Sequence, residues 1–241
     1  MRLYLLNACL AALVLAGPAM AQSQADFVGA FSGDWVDFDQ QMANGPTRCQ
    51  VNLEGLSASG QMPASAKGCA APLDAVANWS ISGTQLVLAD SSGSVIVKLG
   101  GNQKRVNGAD ASGKEIILER PGGDGNAASL KGAYNASGCY YLGYSQDCVP
   151  VGALGQPEPG ADGTMRIKVE VNLNVHAEPR GDADVVGVVR KGTCVVVDQC
   201  TTASDGPWCR AQFGDKAGWM RKLTLRQNRW PISTFSNSCA N

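Results

Sequence analysis

His176 is the only histidine in the chain, so any catalytic triad, imidazole base or histidine-rich metal site must be built around it. It lies in Val171-Asn172-Leu173-Asn174-Val175-His176-Ala177-Glu178-Pro179, where a strand runs into a turn, and no nucleophile in a recognisable context accompanies it. Carboxylates offer a second chemistry, because paired acids such as Asp34 with Asp37, or Asp37 with Asp39, are what glycoside cleavage needs. Yet Trp35-Val36-Asp37-Phe38-Asp39 alternates at strand period, which predicts Asp37 and Asp39 side by side on a solvent-facing strand surface. Cysteine is the third candidate, but no C-x₂-C pair, the usual spacing of a closed zinc site, occurs among Cys194, Cys200 and Cys209 or elsewhere. The inventory therefore points to a protein that acts by binding, not to an enzyme, and calls for neither a metal nor a cofactor.

The cysteines fit better as disulfides. The chain opens with Arg2, an apolar run from Leu3 to Leu15, and Gly17-Pro18-Ala19-Met20-Ala21, which predicts a secretory signal peptide over 1–21 and a periplasmic or secreted mature protein. The apolar run falls short of the roughly 18 residues a membrane span requires. Cys9 leaves with the signal, and the remaining cysteines are even in number, as expected in an oxidising compartment. Division of the chain into modules pairs Cys49 with Cys69, Cys139 with Cys148 and Cys200 with Cys209, leaving Cys194 for Cys239. The formal net charge of −1 becomes one unit more negative once Arg2 is lost, so nothing draws the protein to nucleic acid or to an anionic membrane.

The elements that must position these residues are short strands. Glycine is abundant and aromatics are few, and apolar runs such as Cys49-Gln50-Val51-Asn52-Leu53, Gln85-Leu86-Val87-Leu88 and Glu115-Ile116-Ile117-Leu118-Glu119 alternate with turns such as Asp90-Ser91-Ser92-Gly93 and Ser112-Gly113. A long amphipathic helix is not expected. Five more strands, at 166–171, 185–189, 194–198, 208–213 and 218–221, form a second unit. The Gly/Pro-rich stretches 121–126 and 150–163 read as linkers around a small stapled hairpin. The resulting division is a first module at 22–120, a linker with the Cys139 and Cys148 segment at 121–163, a second module at 164–226 and a tail at 227–241.

Residues 26–120 resemble the bacterial alkaline protease inhibitor family, which acts on serralysin-type zinc metalloproteases. The resemblance rests on Phe31-Ser32-Gly33-Asp34-Trp35 for the family's G-x-W opening, Arg48-Cys49-Gln50-Val51-Asn52-Leu53, Gly68-Cys69, Trp79, and the closing Gly113-Lys114-Glu115-Ile116-Ile117-Leu118-Glu119-Arg120. It implies an eight-stranded antiparallel up-and-down barrel with one disulfide, Cys49 to Cys69. It also implies an extended inhibitory trunk, which falls here on Gln22, Ser23, Gln24, Ala25, Asp26 and Phe27. Extended, the residues ahead of Trp35 span up to about 45 Å, enough to reach into a protease cleft.

Residues 165–225 resemble bacterial SH3-type domains through Leu173-Asn174-Val175-His176-Ala177-Glu178-Pro179, Val185-Val186-Gly187-Val188-Val189-Arg190-Lys191-Gly192-Thr193, Gly206-Pro207-Trp208-Cys209-Arg210-Ala211 and Gly218-Trp219-Met220. His176 stands where that pattern usually has arginine. The resemblance implies a small barrel that binds peptidoglycan or peptides, with Trp208 and Trp219 forming an aromatic groove. The expected fold is all-β, the eight-stranded barrel followed by a small SH3-like barrel. The expected function is exported inhibition of a zinc metalloprotease, the alternative being cell-envelope binding of peptidoglycan or peptide without inhibition.

Overall fold

A computed structural model describes residues 24–213, 216–237 and 239. The expected signal peptide, Gln22 and Ser23 lie outside them. The chain is almost entirely β, in line with its alternating sequence. A short helix α1, Gln24–Phe31, leads into strands β1 Gly33–Asp37, β2 Cys49–Leu53, β3 Ala64–Lys67, β4 Asn78–Ser82, β5 Gln85–Ala89, β6 Val95–Gly101, β7 Arg105–Ala109 and β8 Glu115–Glu119. These form one antiparallel sheet in the order β3-β2-β1-β8-β7-β6-β5-β4, and a bridge between Pro63 and Asn78 nearly closes it into a barrel. Every neighbour but β1 and β8 is consecutive in sequence, which is the up-and-down meander.

Strand period places the core. In β2, Cys49, Val51 and Leu53 point inward and are buried, while Gln50 is exposed. They meet Trp35, Leu88, Ile116 and Leu118 in a continuous apolar interior, and Trp79 joins them with its indole N–H donated to the Glu54 carbonyl at 2.8 Å. Two hairpin turns share one chemistry. In Asp90-Ser91-Ser92-Gly93 the Asp90 carboxylate accepts from the Ser92 and Ser94 amides, and in Asp110-Ala111-Ser112-Gly113 the Asp110 carboxylate accepts from the Ser112 and Lys114 amides. Gly93 and Gly113 follow at φ 86° and 85°, a conformation that favours glycine.

The stretch expected to hold a linker and a small hairpin instead contains helix α2, Gly125–Ser137. Asp124 caps its first turn by accepting from the Ala127 amide, and Gly138 ends it in the left-handed conformation. Its apolar period is weak, because Leu130 is the one buried side chain the helix contributes.

Strands β9 Tyr141–Leu142, β10 Met165–Val169, β11 Leu173–His176, β12 Val185–Val189, β13 Cys194–Val197, β14 Gln199–Ala203, β15 Gly206–Phe213, β16 Lys216–Arg221, β17 Leu223–Arg226, β18 Trp230–Ser233 and β19 Phe235–Ser236 complete the chain. They make three small sheets, β12-β11-β16-β15-β14, β13-β10-β19 and β17-β18-β9. The residues expected as a tail are structural, since β18 pairs with β17 and β9, and β19 pairs with β10. Ile167, Val169, Val175, Met220 and Phe235 form this unit's core. All four disulfides join as expected: Cys49 to Cys69, Cys139 to Cys148, Cys194 to Cys239 and Cys200 to Cys209.

Candidate functional site

Two features organise the surface, the mount of the N-terminal segment and the junction between the barrel and the second unit. Helix α1 is held at its C-terminal end. Val28 enters the barrel core, and the rings of Phe27, Phe31 and Trp35 stack in sequence at 6.4 and 6.3 Å between centroids. Trp35 donates its indole N–H to the Phe31 carbonyl at 2.8 Å. Arg120, the residue after β8, donates to the carbonyls of Ala30 at 2.7 Å and Ser32 at 3.0 Å, and its guanidinium lies 4.1 Å from the Trp35 ring centre. A cation at a helix C-terminus satisfies carbonyls that have no partner within the helix and offsets its dipole. The expected extended trunk is therefore helical over Gln24, Ala25, Asp26 and Phe27, because the aromatic spacing of Phe27, Phe31 and Trp35 suits a helical turn followed by a strand. Ala25 and Asp26 remain exposed.

The junction covers the outer face of β1, β7 and β8. In β8, Ile116 and Leu118 point into the barrel, and the alternate residues Glu115, Ile117 and Glu119 point out, yet all five are buried. Ile117 packs with Trp208, Trp219 and Ala203 of the second unit in a separate apolar cluster. Beside it, Arg105 of β7 donates to Glu119 Oε1 at 3.0 Å through Nε, to the Pro179 carbonyl at 3.0 Å, to Asp205 Oδ1 at 2.8 Å and to Asp124 Oδ2 at 3.1 Å. Glu119 in turn accepts from the Ser204 amide at 2.6 Å and the Ser204 hydroxyl at 2.7 Å. Burial opposes the Arg105 charge, but Asp205, Glu119 and Asp124 more than offset it and raise its pKa. The two units are thus joined by desolvated charge and apolar contact, not by a free linker.

The structure corrects the solvent-facing reading of Asp37 and Asp39, which are 1% and 3% exposed. Asp37 shares the strand face of Trp35 and stands opposite Cys49, so it points toward the barrel interior, whereas Asp39 lies past the end of β1 against the second unit. Asp39 accepts from the Thr202 amide and from Gln156 Nε2, both at 3.1 Å, and its other oxygen accepts from the Gln41 amide. Asp37 accepts from the Asp39 amide at 2.8 Å, and burial pushes its carboxyl well above the usual range. Asp34 stays exposed, its carboxylate accepting from Asn52 Nδ2 at 2.7 Å. With Asp39 engaged by structural donors, the trio does not form a hydrolytic pair.

Glu115 sits in the same junction, with Asn107 donating to it at 2.8 Å and the charges of Arg210 and Glu178 acting on it; burial raises its pKa to about 7. A carboxyl with a raised folded-state pKa stabilises the fold relatively at low pH, and that advantage is lost as pH rises through the folded value. Stability is expected to fall by roughly 3 kcal/mol between pH 4.5 and pH 8 on account of this group. Glu115→Gln should flatten that part of the profile and raise the denaturation midpoint at pH 8, as chemical denaturation at a series of pH values would measure.

Residues 27–120 match the family model of the protease inhibitor Inh. No curated protein matches the chain. Among solved structures the chain is similar to "The antimicrobial peptidase lysostaphin from Staphylococcus simulans", with 11% identity over 66% of this chain and 76% of that one and a TM-score of 0.26, too low to carry an argument. The Inh match spans the barrel and begins within α1, so it includes both the mount and the face that carries Arg105.

The aromatic groove expected from Trp208 and Trp219 is corrected. Trp208 is fully buried and Trp219 is 4% exposed, both under the Inh-matching barrel. Trp208 donates its indole N–H to Asp205 at 3.0 Å, and the His176 ring meets it edge-on at 5.7 Å. His176 Nδ1 lies 3.1 Å from the Ala183 carbonyl, so the imidazole is a packing group with one nitrogen committed. The open groove of the second unit lies elsewhere. It measures about 780 Å³ and is lined by Tyr144, Asn172, Asn174, Arg221 and Arg226 together with the edge of His176. Among the described residues, no three or more His, Cys, Asp or Glu side chains are grouped to hold a metal.

Proposed function

We propose that this chain is an exported inhibitor of zinc metalloproteases of the serralysin type, and that its N-terminal segment enters the protease cleft. The observation that carries this reading is the match of residues 27–120 to a protease-inhibitor family, on a barrel that grips the helix carrying that segment. A segment mounted on an anchored helix loses less freedom on binding than a loose arm, which favours affinity. The inhibitory element is then residues 22–27, and Val28, Phe31 and Arg120 are its support.

Removal of residues 22–27 from the mature protein is expected to abolish inhibition of a serralysin-type protease and to leave the far-UV spectrum of the β sheets in place. Arg120→Ala removes the bonds to Ala30 and Ser32, and should weaken inhibition about tenfold at a stability cost of about 1–3 kcal/mol. Titration of the intact protein against a panel of zinc and serine proteases decides the matter, with mass spectrometry to define its first residue. No inhibition at micromolar concentration would refute the proposal.

A second reading, binding of peptidoglycan or peptide by an SH3-like second unit, is favoured by the polar groove beside His176. Sedimentation with purified peptidoglycan tests it. Loss of sedimentation in Arg226→Ala would assign the binding to that groove, and no sedimentation of the intact protein would refute it.

A further inference from the structure

The junction also leaves an open groove next to Ser204 and Asp205 of the Arg105 network. It measures about 780 Å³ and runs between the first strands of the barrel, helix α2 and the turn after β14. That volume is within the range of sites that bury small ligands or a few residues of peptide. Its floor is apolar, formed by Leu130, Ala203 and Leu223, and Val151, which is 75% exposed, stands at the rim with Leu154. Tyr134 and Tyr140 stack along one wall at 5.4 Å between ring centres.

The charges of this groove are unbalanced. Arg48 lies over the Phe38 ring at 4.5 Å, and Lys131 projects from α2; neither forms an ion pair among the described residues. The carboxylate that lines the groove, Asp205, is fully buried and committed to Arg105, Arg221 and the Trp208 indole. Two cations therefore flank an apolar and aromatic floor with no local anion to satisfy them.

We propose that this groove binds a short acidic peptide segment of a partner protein, its carboxylates meeting Arg48 and Lys131 and its apolar side chains lying over Leu130 and Leu223 beside the stacked tyrosines. Charge complementarity selects the anionic partner. The aliphatic floor selects a peptide over an acidic glycan, because a sugar needs several hydrogen-bonding groups and the Ser204 hydroxyl is already spent on Glu119. The site combines surfaces of both units, so an occupant fastens them together. It is separate from residues 22–27 and does not depend on protease inhibition.

Fluorescence anisotropy with a dye-labelled peptide Glu-Leu-Phe-Glu-Leu-Asp tests the site on the full mature protein. Micromolar binding is expected. It should weaken roughly five- to tenfold in each of Arg48→Glu and Lys131→Glu, and more in the double variant, since each removes one charge pair and adds a repulsion. Both positions are exposed, and unchanged thermal midpoints would show that the variants fold. Raising the salt should weaken the wild-type complex. Absence of binding, equal binding of a Lys-Leu-Phe-Lys-Leu-Lys peptide, or affinity untouched by the charge reversals would overturn the proposal. Preference for an oligogalacturonate probe over the acidic peptide would overturn the peptide assignment.

Discussion

Arg105→Leu is expected to destabilise the protein by about 3–5 kcal/mol, a large part of the stability of an ordinary domain. The guanidinium is 3% exposed and serves Glu119, Asp205, Asp124 and the Pro179 carbonyl together. Its removal strands Glu119 and Asp205, both fully buried on their side chains, and only Asp205 retains another cation, Arg221 at 3.4 Å. The cost lies in those uncompensated charges more than in the lost attraction, which makes a control possible. Arg105→Met combined with Glu119→Leu removes both ends of one pair and should recover part of the loss, because a buried pair replaced by well-packed apolar groups is often close to neutral. Guanidinium titration followed by tryptophan fluorescence would measure both variants. Trp208 and Trp219 lie in the junction, so its failure should appear as an early red shift ahead of barrel unfolding. A single unshifted transition in Arg105→Leu would show that the network does not hold the units together.

Loss of the Cys194 to Cys239 disulfide, in a variant with serine at both positions, should cost about 4 kcal/mol by the loop-entropy relation for a sequence separation of 45. This link spans the longest loop of the four, and it joins β13 to the residues beyond β19 on either side of β10. Strand β19 is only two residues long, yet it delivers the fully buried Phe235 to the second core. The final segment is also held by Lys222, which is buried and donates to the carbonyls of Ala153 at 2.5 Å and Gly155 at 2.7 Å and to Asn237. Without the covalent tie these contacts must hold the segment alone. Calorimetry should show the second unit melting at lower temperature, with the barrel transition closer to its original position. Equal shifts of both units would mean that the junction couples them into one cooperative body.

Particular residues show where sequence reasoning reached and where it stopped. Alternation in Cys49-Gln50-Val51-Asn52-Leu53 identified a strand and the face it buries, because side-chain direction in a strand is a local property. The same alternation put Asp37 on the face of Trp35, but that face is the barrel interior and not the solvent side. Alternation fixes which residues share a face, whereas burial depends on which face is enclosed and, for Asp39, on what arrives from Thr202 and Gln156, more than a hundred residues away. Glu115-Ile116-Ile117-Leu118-Glu119 held a usable clue, since Ile117 on an outward position asks for an apolar partner. Trp208 and Trp219 were legible as large aromatics with a common destination, but a groove and a junction call for the same residues. The helix at Gly125–Ser137 was missed because its period is weak, although Asp124 and Gly138 mark both ends.

The sequence by itself determined the β character of the chain and the cystine pairs within its modules, which rest on local alternation, turn residues and spacing, and the resemblance of its first module to a protease-inhibitor family implied the meander of the barrel. The tertiary structure alone decided that the N-terminal segment mounts as a helix under Arg120, and that the two units share a buried interface. Desolvation is the physical reason. The pKa of Glu115, the ion cluster around Arg105 and the fate of both tryptophans depend on which distant surface excludes the water, and no local pattern encodes that surface.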